Sequence, residues 1–516
     1  MSNLNKGGVA IIDFGSQYTQ LIARRVREQF VFSEIYSPET PFDEIIKSEP
    51  NAIILSGGPS SVYKENAPKF DELLLESNLP TLGICYGLHL LSHHYGGSVV
   101  SKGDGEFGFA KIDIQNSSGI FSDISNPSKV WMSHGDQVVK IPDGWHVLAN
   151  SKNGIVAAIG NKNQNLVATQ FHPEVYHTVE GGQILSNFLF KIASCEKSWT
   201  PENLINNQVE LIRKKVGSKK VIVGVSGGVD SSVVAALLNK AIGKNSIAIL
   251  IDHGMMRMGE AESCLNTLGK GLGININLFN ESQIFLSSLK GVTDPEEKRK
   301  TIGNQFIYSF ERISKQFGEI EFLAQGTLYP DIIESGVNKD GSAHVIKSHH
   351  NVGGLPEQMN FLLIEPLKAL FKDEVRKVGR ELGLPKILIE RHPFPGPGLG
   401  IRIIGEINQE RLNMLKEADK IYIDILMEDD LYDKIWQAFS ILIPVKTVGV
   451  MGDQRTYDNL LSLRAVTSTD GMTADWFHMP ASTLAKVSNR IVNYVKGINR
   501  VVYDITSKPP GTIEWE

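Results

Sequence analysis

A run of glycine and serine residues, Ser226–Ser232, has the composition of an anion-binding turn. The run follows an apolar, β-branched stretch at 221–225 and precedes a helical pattern, so it should join a strand to a helix. Such a turn presents unpaired backbone N–H groups and the positive end of a helix dipole to an anion. A Walker A loop is excluded, because no Gly-Lys-Ser/Thr follows the glycines. We therefore predict a phosphate-binding loop made of Ser226, Gly227, Gly228, Val229, Asp230, Ser231 and Ser232.

A cysteine stands in a second strand–turn–helix context. Cys85 lies between Gly83 and Gly87, after a strand-like run and before a helical pattern. This is the cysteine form of a nucleophile elbow, in which the two glycines relieve crowding around a strained residue. The helix N-terminus favours the thiolate, which is the reactive form of the side chain. We therefore predict that Cys85 is a catalytic nucleophile.

A thiol nucleophile needs a base, and the base needs a group that orients it. His172 and Glu174 follow the apolar run 166–170, and Pro173 fixes the chain between them. His172 could take the proton from Cys85, and Glu174 could hold the imidazole. The three residues form a predicted Cys-His-Glu triad.

The two motifs together resemble those of the class I, triad-type glutamine amidotransferases. Members of this family convert glutamine and water to glutamate and ammonia through a γ-glutamyl thioester. The segment Ser56–Pro59 matches their oxyanion-hole loop. The resemblance implies that the backbone N–H groups of Gly58 and Tyr86 bind the oxyanion.

The loop at 226–232 resembles the pyrophosphate-binding loop of the N-type ATP pyrophosphatases, which split ATP to adenylate a substrate oxygen. An ammonia generator in one chain with an adenylating site implies that the chain aminates an activated oxygen. Negative charge then builds on the departing pyrophosphate, so we expect Mg²⁺ as a cofactor. Asp230 is a candidate Mg²⁺ ligand, and a helix-capping role is the open alternative.

The last third of the chain indicates the acceptor. The segments 392–399, 448–455 and 508–516 resemble the C-terminal dimerisation domain of the glutamine-hydrolysing GMP synthase family. The resemblance implies a homodimer and three substrates: glutamine, ATP and xanthosine 5′-monophosphate (XMP). It also implies XMP contacts at Arg299, Arg500, Lys508, Ile513 and Glu514. Near the end of the sequence, we expect the Glu514 carboxylate to have little structural purpose unless it meets a ligand.

The charged segment 294–303 permits two interpretations. It could be the solvated start of a helix, with acidic residues in the first turn. Alternatively, it could be a lid whose cations, Lys298, Arg299 and Lys300, close over nucleotide phosphates. The sequence alone favours the helix start.

Strand-like runs alternate with helical patterns along most of the chain, which predicts layered α/β domains. Such runs occur at 8–13, 51–55, 80–84, 165–170, 220–225, 246–251, 274–279 and 321–325. The proline- and glycine-rich segment 393–399 is the sharpest break. After it, helical patterns at 408–427 and 480–496 accompany strand-like runs at 445–450 and 500–506. The predicted fold is α/β: two consecutive doubly wound domains at 1–196 and 197–392, then a smaller α+β dimerisation and XMP-binding domain at 393–516.

Composition restricts the class of protein. The 516 residues carry a formal net charge of −6, which gives no electrostatic footprint for nucleic acid. No apolar run approaches the length of a membrane span, and three cysteines cannot form a disulfide framework. We therefore expect a cytoplasmic enzyme that binds neither nucleic acid nor membrane. The alternatives are another glutamine-dependent adenylating amidoligase, a tRNA-modifying adenylase and, most remotely, a non-enzymatic scaffold.

Overall fold

The computed structural model describes residues 4, 6–65, 67–68, 70–163, 165–336, 361–451, 454–468, 471 and 473–516. They form two compact units, Met1–Asn207 and Gln208–Glu516. Across these ranges no helix is both long and apolar enough to cross a membrane.

A nine-stranded sheet organises the first unit, in the order β2-β1-β3-β4-β9-β8-β7-β5-β6. Its strands are β1 (Val9–Ile12), β2 (Ser33–Tyr36), β3 (Ala52–Leu55), β4 (Thr81–Ile84), β5 (Ser98–Ile114), β6 (Ser128–Lys140), β7 (Trp145–Ser151), β8 (Val156–Asn161) and β9 (Leu166–Thr169). Its helices are α1 (Thr19–Glu28), α2 (Phe42–Ile45), α3 (Leu73–Glu76), α4 (Tyr86–His94) and α5 (Gly181–Asn187).

The first sheet is parallel in one half and antiparallel in the other. Strands β2, β1, β3, β4 and β9 pair in parallel, as predicted for an α/β domain. Strands β8, β7, β5 and β6 extend the sheet by antiparallel pairing. Most of β6 alternates buried with exposed residues, because one face of an antiparallel extension can remain in water.

A five-stranded parallel sheet organises the start of the second unit, in the order β12-β11-β10-β13-β14. Its strands are β10 (Val221–Val225), β11 (Ser246–Asp252), β12 (Ile276–Asn280), β13 (Phe322–Ala324) and β14 (Leu362–Ile364). The helices from position 201 to position 389 are α6 (Pro201–Val216), α7 (Val229–Ile242), α8 (Glu260–Cys264), α9 (Ser282–Ser288), α10 (Pro295–Ser314), α11 (Tyr329–Gly336), α12 (Lys372–Glu381) and α13 (Lys386–Ile389). The predicted parallel α/β fold is confirmed here.

A smaller sheet follows, in which β15 and β16 form a long antiparallel pair and β18 joins β16 in parallel. Its elements are α14 (Gln409–Glu428), β15 (Gln437–Met451), β16 (Gln454–Thr467), β17 (Asp475–Trp476), α15 (Ala481–Tyr494) and β18 (Ile498–Asp504). The predicted α+β composition is confirmed. Residues on both sides of position 392 share one hydrophobic core, which runs from Ile222 through Leu399 to Ile498. The division into three domains therefore stays a prediction.

Two pairs of neighbouring strands position the residues of the predicted triad and of the predicted phosphate-binding loop. Strand β4 lies beside β9, and the chain leaves these strands toward Cys85 and His172 respectively. Strand β10 lies beside β13, so the loop at 226–232 and the segment after β13 leave the same edge of the second sheet. Ligands of parallel α/β sheets bind at such carboxyl-terminal edges.

Candidate active sites

Cys85 adopts the strained backbone of a nucleophile elbow. Its φ is +53° and its ψ is −99°, and it forms the N-cap of α4. The Cys85 N–H donates a hydrogen bond of 2.7 Å to the carbonyl of Thr169 on β9. A Cβ atom on Gly83 would come within 2.6 Å of the Gly87 carbonyl, and one on Gly87 within 2.5 Å of the Leu55 carbonyl. Close backbone packing therefore allows only glycine at both positions, and this packing holds the elbow.

The predicted base and its orienting carboxylate are joined directly. Nδ1 of His172 lies 2.7 Å from Oε1 of Glu174, and both side chains are buried. The Thr178 hydroxyl donates to the His172 carbonyl at 2.6 Å, and Nε of Arg25 donates to the Glu174 carbonyl at 3.0 Å. The segment is thus fixed at both residues, and the triad geometry follows from local contacts.

The pKa of His172 lies above its usual range. Burial acts to lower it, but the charge of Glu174 and the hydrogen bonds to Cys85 and Glu174 outweigh burial. The imidazole is therefore held as the cation that a neighbouring thiolate needs. Cys85 is itself among the groups that raise this pKa, so its thiol lies near the His172 ring.

Two further residues lie near the sulfur atom, and a third is bonded to one of them; none was assigned a role from the sequence. Sγ of Cys85 lies 3.7 Å from the Ser133 carbonyl and 3.8 Å from Nε2 of Gln170. The other end of the Gln170 amide, Oε1, is 2.9 Å from Nε2 of His89. No sequence pattern marked Gln170 or His89, because an isolated polar residue on a strand or helix is usually only a satisfied core group.

The predicted oxyanion donors are free to bind a ligand. Within the described ranges, neither the N–H of Gly58 nor that of Tyr86 donates a hydrogen bond to another protein atom. A Cβ atom on Gly58 would lie 2.6 Å from the Phe14 carbonyl, so only glycine fits there. A Cβ atom on Gly57 would lie 3.4 Å from Cε1 of His172 and 3.7 Å from Cβ of Cys85. The loop therefore borders the thiol–imidazole pair.

The glycine-serine loop joins β10 to α7 as predicted. Gly227 has a φ of +73° and Gly228 is the N-cap of α7. Hydroxyl groups hold the loop internally: Oγ of Ser232 donates to the Gly228 carbonyl at 2.8 Å, and Oγ of Ser231 receives the Ser226 N–H at 3.2 Å. Four backbone N–H groups have no hydrogen-bond partner within the part of the chain that the structure describes: those of Gly227, Val229, Asp230 and Ser231. The loop can therefore offer them to phosphate oxygens.

The helix-cap alternative for Asp230 is wrong. Gly228 occupies the N-cap, no side chain caps α7, and Asp230 lies in its first turn. One oxygen of Asp230 is paired with Lys372. The other, Oδ1, is buried and has no hydrogen-bond partner among the described residues.

The residues around Asp230 fit a magnesium ion that is bound partly by its substrate. Within the described ranges, no three His, Cys, Asp or Glu side chains converge as in a site built by protein alone. Mg²⁺ is commonly held by one or two carboxylates together with substrate phosphates. An unpartnered carboxylate oxygen beside free backbone N–H groups is suited to that arrangement.

An aromatic ring connects this loop to the rest of the second unit. The ring of Phe394 has three guanidinium groups 5.0–5.3 Å from its centre, those of Arg257, Arg391 and Arg402. Nη1 of Arg391 donates to the Gly227 carbonyl at 2.9 Å. Each arginine has its own carboxylate partner: Asp419 for Arg257, Glu260 for Arg391 and Glu514 for Arg402.

The expectation that Glu514 lacks a structural purpose is wrong. Its Oε1 accepts hydrogen bonds from Nη2 of Arg402 at 2.8 Å and from Nε2 of Gln437 at 2.7 Å. Its Oε2 accepts one from Nε of Arg402 at 3.1 Å. These partners lie 112 and 77 residues away in sequence, so no local pattern could show them.

The segment before Glu514 is anchored as well. Nε and Nη2 of Arg464, which is fully buried, donate to the carbonyls of Ile513 at 2.8 Å and Thr512 at 2.9 Å. The Ile513 side chain is itself buried and packs in a small apolar cluster. The tail is therefore part of the folded core.

The segment 294–303 is the capped start of α10, which confirms the favoured interpretation. The Asp294 side chain accepts a hydrogen bond from the N–H of Glu297. Lys298 is fully buried and bonds to the side chain of Glu516, so it is not a free phosphate-binding cation. Arg299 donates to the main-chain oxygen of Glu516. Two of the three proposed lid cations therefore hold the tail.

The other two predicted XMP residues lie at different places on the C-terminal sheet. Nζ of Lys508 donates to the Gly471 carbonyl at 2.8 Å. Nη2 of Arg500, on β18, is 3.4 Å from the Val448 carbonyl. The structure connects Arg299, Ile513 and Glu514 through the tail, but within the described residues no contact brings Arg500 to them.

Three known families match successive parts of the chain. The glutamine amidotransferase class-I family matches residues 10–192, which contain the predicted triad. The NAD synthase family matches residues 202–307, which contain the glycine-serine loop. The GMP synthase C terminal domain matches residues 424–515, which contain most of the tail.

Curated relatives match the whole chain at once. A glutamine-hydrolysing GMP synthase from Fusobacterium nucleatum is 52% identical over 514 residues, covering 99% of this chain and 100% of that protein. The chain belongs to the glutamine-hydrolysing GMP synthase family. Further members, from Thermosipho melanesiensis and Thermosipho africanus, are 53% and 54% identical over 512 residues, each covering 98% of this chain and 99% of the relative. Family membership means that the chain is an ATP-dependent ligase with a glutamine amidotransferase domain.

Proposed function

We propose that the chain makes GMP from XMP, ATP and glutamine, with glutamate, AMP and pyrophosphate as the other products. The observation that carries this proposal is the full-length similarity to glutamine-hydrolysing GMP synthases. The geometry supports it, because one chain contains a hydrogen-bonded His172–Glu174 pair close to Cys85 and a strand–loop–helix with free N–H groups.

In the first half-reaction, the Cys85 thiolate attacks the γ-carbonyl carbon of glutamine. The N–H groups of Gly58 and Tyr86 bind the oxyanion that forms. The His172 imidazolium protonates the leaving nitrogen, so ammonia departs and a γ-glutamyl thioester remains. His172 then takes a proton from water, which attacks the thioester and releases glutamate. Glu174 keeps the imidazole oriented and stabilises its charged form.

In the second half-reaction, the C2 oxygen of XMP attacks the α-phosphorus of ATP and displaces pyrophosphate. The free N–H groups of the 226–232 loop stabilise the charge that develops on the leaving group. Mg²⁺, held by Asp230 and the substrate phosphates, would neutralise part of that charge. Ammonia then replaces the adenylated oxygen at C2, and AMP leaves.

The C-terminal tail recognises XMP in this proposal. Lys508 and Arg500 supply cations for its phosphate, and Arg299, Ile513 and Glu514 meet the remainder of the nucleotide. Replacing Lys508 with Ala should raise the Michaelis constant for XMP and leave those for ATP and glutamine unchanged. An unaltered XMP constant would remove Lys508 from the site.

We further propose that the enzyme is a cytoplasmic homodimer joined through its C-terminal sheet. The apolar side chains Val445, Val448, Val450 and Tyr457 are exposed on β15 and β16, and a second copy would cover them. All three cysteines are free and buried, which suits a reducing compartment. Sedimentation equilibrium would test the dimer.

One experiment separates the proposed reaction from other amidoligase reactions. The protein is mixed with ATP, Mg²⁺ and glutamine, and then with XMP, nicotinate adenine dinucleotide or aspartate. Of the three acceptors, only XMP should support AMP release. AMP release with either other acceptor, and none with XMP, would refute the proposal.

A further inference from the structure

We infer that Gln437 and Arg402 are positioning residues for XMP, because they hold the Glu514 carboxylate in one orientation. The inference rests on the proposed function, in which Glu514 contacts XMP. Three hydrogen bonds of 2.7–3.1 Å fix the carboxylate, two of them from the guanidinium fork of Arg402 and one from the Gln437 amide. A bidentate fork sets the plane of a carboxylate as well as its position.

Arg402 is itself immobilised. Its side chain is fully buried, and its guanidinium carbon lies 4.1 Å from the centre of the Phe439 ring and 5.0 Å from that of Phe394. A buried planar guanidinium packed against two aromatic rings has little room to turn, so the fork cannot follow a moving carboxylate. Arg402 therefore determines the orientation of the Glu514 carboxylate, and not the reverse.

The carboxylate retains capacity for a ligand. An ionised carboxylate offers about four acceptor sites, and three are occupied by Arg402 and Gln437. The side chain of Glu514 is 17% exposed, so part of it faces solvent. Because an ionised carboxylate only accepts, it would bind an N–H or O–H group of the nucleotide, in the purine ring or the ribose.

Gln437 supports the carboxylate orientation that Arg402 sets. The Gln437 amide donates a third hydrogen bond, to Oε1, from strand β15. The residue is 4% exposed on β15, where its own backbone is held in the sheet. Such preorganisation lowers the entropic cost of ligand binding without adding a ligand contact.

The test is a double-mutant cycle of Gln437→Met and Glu514→Gln, assayed with ammonium salts so that the glutaminase site is bypassed. Methionine is close to glutamine in size but lacks the amide donor. Gln437→Met should raise the Michaelis constant for XMP up to about tenfold, because binding would then have to order a side chain that is no longer held in place. The turnover number and the Michaelis constant for ATP should not change. In a Glu514→Gln background, Gln437→Met should add little, because it acts through that carboxylate.

Thr483→Val is the matched control. The Thr483 hydroxyl is buried and donates to a carboxylate, Asp429, at 2.8 Å in the same unit, and among the described residues it has no hydrogen bond to the tail. A general loss of stability would reduce the amount of active enzyme in either variant without changing the XMP constant.

Several outcomes would overturn the inference. An unaltered XMP constant in Gln437→Met would do so, as would an equal rise in Thr483→Val or full additivity with Glu514→Gln. If Glu514→Gln alone leaves the XMP constant unchanged, the XMP role of Glu514 fails and the inference fails with it. If the unaltered chain does not turn over XMP, the proposed function is what has failed.

Discussion

Replacing Glu174 with Gln tests the triad with the smallest possible change. The side chain keeps its shape and its place in a fully buried position, but loses its charge. Oε1 now accepts from Nδ1 of His172 at 2.7 Å, and the amide oxygen of Gln could still accept there. The substitution therefore removes the charge and retains part of the hydrogen bond.

The structure allows an estimate of the effect. A contact of 2.7 Å between Nδ1 and Oε1 leaves the centres of the two delocalised charges roughly 4 Å apart, where the attraction is about 4 kcal/mol at an effective dielectric constant of about 20. The retained neutral hydrogen bond offsets about 1 kcal/mol of this loss. The remaining ~3 kcal/mol corresponds to a loss of roughly 10²-fold, since about 1.4 kcal/mol changes a rate tenfold.

The assay compares two nitrogen sources. Glutamine-dependent GMP formation should fall by this amount, and ammonium-dependent formation should stay the same. The pH profile gives a second readout. Glu174 helps to keep the pKa of His172 raised against burial, so the imidazolium persists to higher pH in the unaltered protein. In Glu174→Gln that pKa falls, and the alkaline limb of the glutamine-dependent rate should move to lower pH.

A Glu174→Gln protein with a glutamine-dependent rate close to normal and an unshifted alkaline limb would refute the electrostatic role of Glu174. A loss that is equal with glutamine and with ammonium would also refute it, since that would indicate damage to the whole fold.

Cys85→Ala should abolish the glutamine-dependent rate and spare the ammonium-dependent one, while Cys195→Ala, which removes a buried thiol outside the site, should spare both; loss of the ammonium rate in folded Cys85→Ala would contradict this. Gly227→Ala should slow pyrophosphate release with either nitrogen source, because a Cβ atom there would lie 3.0 Å from Nη1 of Arg391. Gly217→Ala, also at positive φ but in open space, should leave this rate unchanged. Equal losses in the two variants would contradict a role for the loop in the reaction. Burial lowers the pKa of His253 to about 4 from its usual 6.5, so the unfolded chain binds more protons between these values. Stability toward urea should therefore fall as the pH drops from about 6.5 to 4, and His253→Asn should reduce that slope; an unchanged slope would exclude this histidine as its source.

The sequence predicted those features of the fold that depend on neighbouring residues. Strand, turn and helix around Cys85 and around Gly227 are encoded within short segments, and the structure has both. The antiparallel half of the first sheet was not predicted as such. Its long strands β5 and β6 alternate polar with apolar residues and contain shifts of register, so no short apolar run marks them.

In the sites as well, contacts between residues close in sequence could be predicted, and contacts between distant residues could not. His172 and Glu174 are two residues apart, and their pairing could be predicted from that spacing. Gln170 could not be assigned, since its partner His89 is 81 residues away and neither residue type is distinctive. The bond from Arg402 to Glu514 is likewise a product of the whole fold, and it reverses an argument made from chain position alone.

The ring of Phe394 with its three arginines has a consequence for how this protein can evolve. Each arginine is matched by one carboxylate, so replacing any one of the six charged residues leaves a partner charge without its counterion. An apolar core of the same volume could be as stable as buried ion pairs, but every single-step route to it passes through an unpaired buried charge. Single random substitutions should therefore rarely replace these ion pairs with apolar residues. We expect functional variants to retain the three pairs or to exchange both members of a pair together.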